Sequence, residues 1–444
     1  MYSEISFRPD FWPALNKSRA QVLHLVLIGT KPDIIKQTPL VLELRRRRQA
    51  VILGTTGQHY DPNLTRDAWD LAGLTPDFDL AVRGTLYNKI GQIIERFGYV
   101  LDKILENDKI IIPYAHGDTT TAMAVSAAAF MNQVPVAHVE AGLRSFVPRY
   151  EVLDTIQKHF NFEVFKGILQ NERSWQKGSI EPYPEQYNTR TIAPAAAFHA
   201  APVELNRQNL LAEGFRADRI TVVGNPVADA VALALKQPSD VFEEYPGLRQ
   251  GFVRFAIHRR ENIESRHRFC VIMETLAQLV LSGQTVLLVS HALTVRALKE
   301  YKLYAKFNKL ARTHLNFIFE QQLLPYRDNV HTLTKAILNI TDSGSEQEEG
   351  NIMGFATATA RFGSDRPETI WAGGNVLAPP INQKLFENVI RGALANQKLF
   401  KAPKLYGQKV VQKIVDEVLE IRKREKLFQW EHERFGYSKF DLIP

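Results

Sequence analysis

Short apolar runs that alternate with helix-length stretches constrain this chain more than any other feature of its sequence. In the first half the runs are "VLHLVLIG", "QAVILGT", "KIIIPYAHGD" and "PVAHVEAG", followed by "RTIAPA" and "RITVVGN". A second series begins near Gly251 with "GFVRFAI", "TVLLVSH", "LNFIFE" and "AILNITDSG". Runs that are apolar throughout suit strands covered by helices on both faces, the βαβ pattern of a parallel sheet. At 444 residues the chain is too long for one ordinary core, so two α/β domains are expected. The reading is a pair of Rossmann-like, doubly wound domains over 1–235 and 236–405, with C-terminal helices over 406–444. The polar, two-proline stretch "LKQPSDVFEEYPGLRQG" reads as the linker between them. Around Phe146–Ile180 the alternation lapses into an aromatic, charged segment, taken as an insertion at 146–181 of the first domain. Near the end, "GQKVVQKIVDEVLEIRKREK" has the apolar spacing of an amphipathic helix.

Composition narrows the function classes. The chain is 45% hydrophobic and 23% charged, ordinary for a soluble domain. Its longest apolar runs, such as Val22–Ile28, are far short of a membrane span. The opening "MYSEISFRPDFW" lacks the basic and apolar regions of a signal peptide. The one cysteine, Cys270, excludes an internal disulfide and a cysteine-based metal cluster. A cytoplasmic protein is expected. The net charge of +7 fits a nucleic-acid or membrane surface, or a site for an anionic small molecule. The basic runs, "RRRR" at Arg45–Arg48 and "RKREK" at Arg422–Lys426, fall in helix-like stretches and read as solvated faces. Neither nucleic acid nor membrane is therefore expected as a partner.

Ligands of open parallel sheets bind beyond the carboxyl ends of strands, so residues just after each run carry the chemistry. "YAHGDTTTAMAVSAAAFMNQVPVAHVEAGLRSF" contains strand, helix and strand, which brings Asp118 and Glu140 to neighbouring strand ends. Capping of the intervening helix is the alternative role for Asp118. In the second half a strand ends at Asp342, and Ser343, Gly344 and Ser345 open a helix that carries Glu346, Glu348 and Glu349. Small residues at a helix N-terminus let backbone N–H groups approach a phosphate; a plainly capped helix is the alternative. Glu349 is placed to accept from a ribose diol. His258, Arg259 and Arg260 follow the first strand of this half, and Arg366 lies in "SDRPET".

Taken together these residues resemble the UDP-N-acetylglucosamine 2-epimerases, the non-hydrolysing kind in particular. The resemblance runs in order through "GTKPDIIKQTPLV", "TGQH", "HGDTTTAMA", "PVAHVEAGLRS", "NRQNLLAEGF", "RITVVGNPVADA", "HRREN", "TDSGSEQEE" and "DRPET". It implies the GT-B fold, with the nucleotide on the second domain, the sugar facing the first, a cleft between them, and a final helix crossing back. It further implies reversible inversion at C2 of a UDP-N-acetylhexosamine by elimination and re-addition of UDP. Such chemistry uses carboxyl groups near C2 and cations on the leaving diphosphate. A homodimer is implied, and neither a metal nor a cofactor.

By the same resemblance Asp118 and Glu140 are catalytic, and Glu185 in "EPYPEQYN" is the third carboxylate, with Glu151 and Asp154 as competitors. Asn188, which follows Glu185 in that motif, and Arg144, which closes "EAGLR", fall to the UDP-sugar. His258 is counted with the catalytic residues and, with Arg259, Ser343, Gly344, Ser345 and Arg366, falls to the diphosphate, Glu349 to the ribose, and Lys31 and Lys36 to the substrate. Several positions depart from the family. Lys31 stands where an Arg is usual and loses the bidentate fork. Ser345 replaces a Gly of the usual DSGG, and Asp61 replaces a Gln near Gln58 and His59, where bacterial members hold a second, activating UDP-sugar. Four other functions stay open: a hydrolysing epimerase, an epimerase of a modified UDP-sugar, a GT-B glycosyltransferase, and a UDP-sugar sensor.

Overall fold

The computed structural model describes residues 4–57, 73–158 and 160–425. They divide into two compact units, Met1–Leu143 with Pro184–Ala230 and Gly407–Pro444, and Arg144–Tyr183 with Val231–Tyr406.

The strands of the first unit are β1 (Ser6–Phe7), β2 (Val22–Ile28), β3 (Ala50–Thr55), β4 (Phe78–Asp79), β5 (Ile110–His116), β6 (Val136–Val139), β9 (Ala196–Ala201) and β10 (Ile220–Val222). They form one sheet in the order β1-β4-β3-β2-β5-β6-β9-β10, parallel except for β1 against β4. Every residue of β2 is buried, which is why its sequence is apolar without alternation. The Thr120–Met131 helix after β5 is rich in alanine and buries eight side chains, among them Ala122, Ala124, Ala128 and Ala129. Residues this small let it lie close against its neighbours, and it joins Leu25, Phe97, Val100 and Ile111 in the main core of the unit. The Val410–Glu425 helix belongs to this unit and packs on the Lys31–Arg46 helix.

The second unit contains a six-stranded parallel sheet, ordered β13-β12-β11-β14-β15-β16. Its strands are β11 (Phe252–Ala256), β12 (Val286–Val289), β13 (Phe317–Glu320), β14 (Ala336–Thr341), β15 (Thr357–Thr359) and β16 (Asn375–Leu377). A separate antiparallel pair, β7 (Phe146–Pro148) and β8 (Trp175–Lys177), belongs to this unit as well.

Three expectations are corrected. "RTIAPA" is no strand: the Glu185–Ile192 helix runs on into the 3-10 turn Ala193–Ala195, and the strand is the next six residues, β9. The short residues of "AAFHAA" carry no β-branched signal, and burial decides the strand instead. The expected linker is folded, with a Val241–Glu244 helix and a Pro246–Leu248 turn, and Leu248 is buried with Phe252 and Leu287. The inserted segment 146–181 lies within the second unit and not the first, because its apolar faces pack on second-unit elements far along the chain.

Candidate functional site

The first group of residues sits where β5 and β6 end. His116 pairs with Val139 in the ladder, so Asp118 and Glu140 leave neighbouring strands at one edge of the sheet. Gly117 N donates to Val139 O at 2.8 Å, and His138 Nε2 donates to Gly117 O at 2.8 Å. These bonds pin the turn in front of Asp118. Glu140 has φ 64°, a left-handed conformation that costs a residue with a Cβ about 1 kcal/mol or more. The neighbours stabilise it there: Asn206 and Asn209 donate through Nδ2 to Gly142 O at 3.4 and 3.0 Å. The two amides of "NRQN" thus hold the turn that follows Glu140.

The Glu140 side chain is 1% exposed and its Oε2 accepts from Lys36 Nζ at 2.8 Å and His116 Nε2 at 2.9 Å. Lys36, expected among the substrate-binding cations, is thereby shown to be the ion-pair partner of Glu140. Both are buried, so the pair holds by its own geometry. Asp33, one turn earlier on the same helix, is also buried, and burial raises its carboxyl above the usual range against the pull of His116 and of hydrogen bonds from Thr30 and Gly29. Lys31 is the first residue of that helix. Gln58, His59 and Asp61, where bacterial members of the family hold a second UDP-sugar and where Asp61 departs from their pattern, lie outside the described residues.

Asp118 does not cap the following helix. Thr119 is the N-cap and its Oγ1 accepts from Ala122 N at 3.1 Å, which removes the capping alternative. The backbone of Asp118 is tied to Asn188, whose Nδ2 donates to Asp118 O at 2.9 Å. Glu185 opens the helix that carries Asn188 and shares a unit with Asp118 and Glu140. Its competitors sit on the Tyr150–Lys158 helix of the other unit, where Glu151 is exposed and Asp154 pairs with Lys158 at 2.8 Å.

The second group is built around Asp342, a fully buried residue at the end of β14 that sequence reasoning left out of the site. Its carboxylate accepts from His258 N at 3.0 Å, Arg259 N at 3.0 Å and Asn262 Nδ2 at 3.0 Å. One acid therefore shapes the whole "HRREN" loop; the signal for it was its place directly before Ser343. The Gly344–Met353 helix begins there with Ser343 as N-cap, and Ser345 is half-buried in its first turn. The opening N–H groups of such a helix have no partner within it and favour an anion. A Cβ on Gly344 would lie 2.8 Å from the Arg366 guanidinium, so glycine is what lets that cation sit under the helix start.

Arg366, expected to touch the diphosphate, is 3% exposed, and its Nε bonds Glu348 at 3.0 Å while Nη1 bonds Asp365. It stands behind the helix start as a fixed positive charge. Burial alone would raise the Asp365 carboxyl, but Arg366, Arg361 and Arg259 together hold it well below the usual carboxylate range. Glu346 shows the same balance: burial raises it, and paired Arg254, at 2.8 Å, brings it below the usual range. Glu349, the expected ribose acid, accepts from Tyr326 Oη at 3.0 Å. Arg144 is fully buried and belongs to this unit. His258 Nδ1 lies 3.5 Å from Asp342, and its ring is 37% exposed.

Glu368 adds a pH-dependent element two residues after Arg366. It accepts from Tyr406 Oη at 2.6 Å, and burial pushes its carboxyl up to about 7 from its ordinary value of 4.5. The folded protein then binds the Glu368 proton more tightly than the unfolded chain. Its contribution is complete below the unfolded value and is lost as pH rises to about 7. Glu368→Gln is expected to remove a fall in stability on the order of 3 kcal/mol across that window. Denaturant midpoints of both proteins at pH 5 and pH 8 check this; parallel midpoints would contradict it.

Two Rossmann-like units with these features define an α/β protein of the GT-B class. The chain belongs to the UDP-N-acetylglucosamine 2-epimerase family, whose model matches residues 42–160 and 173–420. The UDP-N-acetylglucosamine 2-epimerase of Salmonella typhimurium is 30% identical over 380 residues, 83% of this chain and 89% of the relative. That of Methanocaldococcus jannaschii is 27% identical over 82% of this chain and 90% of its own length. A crystal structure of the Methanocaldococcus jannaschii enzyme in complex with UDP-GlcNAc and UDP superposes with TM-score 0.74 at 25% identity, covering 90% of this chain and 99% of the other. A Neisseria meningitidis enzyme bound to UDP-GlcNAc shares the fold with TM-score 0.72 at 23% identity over 90% and 100%.

Proposed function

We propose that this chain is a non-hydrolysing UDP-N-acetylglucosamine 2-epimerase that interconverts UDP-GlcNAc and UDP-ManNAc. The observation that carries the reading is the buried Glu140, held by Lys36 and His116 at the strand end beside Asp118. Inversion at C2 requires a proton to leave one face of the sugar and return to the other, so two separately held carboxyl groups suit it better than one. In the elimination a carboxylate takes the C2 proton, the C1–oxygen bond to UDP breaks, and a glycal forms. Re-addition of UDP to C1 with protonation of C2 from the opposite face completes the inversion. Asp118 and Glu140 are the proposed proton carriers, with Glu185 as the third acid. His258, Arg259, Ser343, Gly344 and Ser345 hold the departing diphosphate, with Arg366 behind them, and Glu349 the ribose. No step calls on a cofactor. A cytoplasmic homodimer goes with this reading.

Proton NMR of the protein with UDP-GlcNAc in deuterated water tests it. UDP-ManNAc carrying deuterium at C2 is the expected product. Free N-acetylmannosamine with UDP would replace this reading by the hydrolysing one, and a lack of any C2 exchange would overturn it for this sugar.

A further inference from the structure

The segment Arg144–Tyr183 contains residues 161–172, which fall between the two blocks matched by the family model. They include the Phe162–Gln170 helix. We propose that this segment is a brace for the diphosphate-binding helix start, with Lys166 and Phe146 as positioning residues; this rests on the assignment of the diphosphate to Ser343–Ser345.

The brace meets the short Pro367–Trp371 helix at both ends. Before it, Phe146 and Ser364 exchange both backbone hydrogen bonds at 2.9 Å. The Phe146 ring packs edge-on against Trp371 at 5.4 Å. After the helix, Lys166 Nζ donates to Gly373 O at 2.7 Å and lies 4.9 Å from the centre of the Phe400 ring. The fit is close on both sides. A Cβ on Gly363 would lie 2.5 Å from Phe146 O, and one on Gly392 would lie 2.5 Å from the Phe162 ring. The sheet-bearing part of the unit thus leaves space for this segment at two separate points.

The contact at Ser364 leads straight to the helix start. Ser364 Oγ accepts from Arg366 N at 2.9 Å and donates to Gln347 Oε1 at 2.7 Å. Gln347 Nε2 in turn donates to Ser343 O at 3.3 Å. The strand β7, Ser364, Gln347 and Ser343 form one continuous line of hydrogen bonds. At the far end, burial pushes the Lys166 ammonium down to about 8. An amine kept there at that cost does more than fill space, since an apolar side chain would fill it without the desolvation.

The test compares Lys166→Met and Phe146→Leu with the wild type by calorimetry with UDP, by thermal melting, and by the kinetics of C2 exchange. Both variants are expected to raise the UDP Kd and the substrate KM in parallel by about tenfold, because small misplacements of binding groups are costly. Turnover at saturation should stay within about twofold and Tm within about 4 °C. Unchanged Kd and KM in folded variants would overturn the brace, as would a loss confined to kcat. Gly344→Ala in the otherwise wild-type chain separates the two readings. If it also leaves UDP affinity unchanged, the diphosphate assignment itself fails; if it alone weakens binding, only the brace does.

Discussion

Glu140→Gln is expected to lower the rate of C2 proton exchange by about a thousandfold, the middle of the range for loss of a positioned acid–base group. UDP affinity should stay within a few-fold, because the residues assigned to the diphosphate belong to the other unit. The substitution also has a structural cost, since it leaves the buried ammonium of Lys36 facing a neutral amide. Breaking a buried pair from one side typically costs about 3–5 kcal/mol, so a falling melting temperature could be mistaken for the cause of inactivity. The double variant Lys36→Met/Glu140→Gln separates the two effects. It removes both charges, and it is expected to recover much of the stability while remaining inactive. Exchange rates in deuterated water, read beside melting curves, decide the matter. Recovery of activity together with stability would mean that Glu140 only holds the fold.

Asp342→Ala should act on the other half of the reaction. Its carboxylate accepts from two backbone N–H groups and one side-chain amide. Its removal takes the acceptor from two part-buried backbone N–H groups and one of the two acceptors from Asn262 Nδ2, which keeps Ala360 O at 2.8 Å. Each donor left unsatisfied costs about 1–3 kcal/mol. Part of that cost is relieved if the His258–Asn262 loop moves, and the movement scatters the groups assigned to the diphosphate. UDP affinity is expected to fall about a hundredfold, with Asp342→Asn intermediate because one acceptor oxygen remains. Calorimetry with UDP measures the effect directly. Wild-type affinity in Asp342→Ala would show that the order of this loop is not what holds UDP.

Much of this architecture was legible before any coordinate. Strands such as β2 and β5 announce themselves because both faces are covered and few polar residues interrupt them. Asp118 and Glu140 follow from the same reasoning, since consecutive parallel strands bring their carboxyl ends to one edge. The misses share a cause as well. β9 is built of alanines with one Phe and one His, so its burial comes from neighbours and not from its own side chains. The stretch 235–251 is polar enough for a linker, yet Leu248 anchors it against β11 and β12.

What the amino-acid order determined by itself was therefore local: the period of the apolar runs, the small residues that open helices, and acids placed one or two residues beyond a strand. Pairings between distant residues were decided only by the tertiary structure. Lys36 reads as a cation for a substrate until Glu140, 104 residues away, is found 2.8 Å from it. Asp342 reads as the last residue before a phosphate-binding turn until it proves to hold a loop more than 80 residues earlier. The inserted segment reads as part of the domain in which it begins, and it folds into the other. The physical reason is the same in each case. Burial removes the water that would otherwise satisfy a charge or cover an apolar face, and the partner that replaces it is chosen by three-dimensional proximity, which no local pattern encodes.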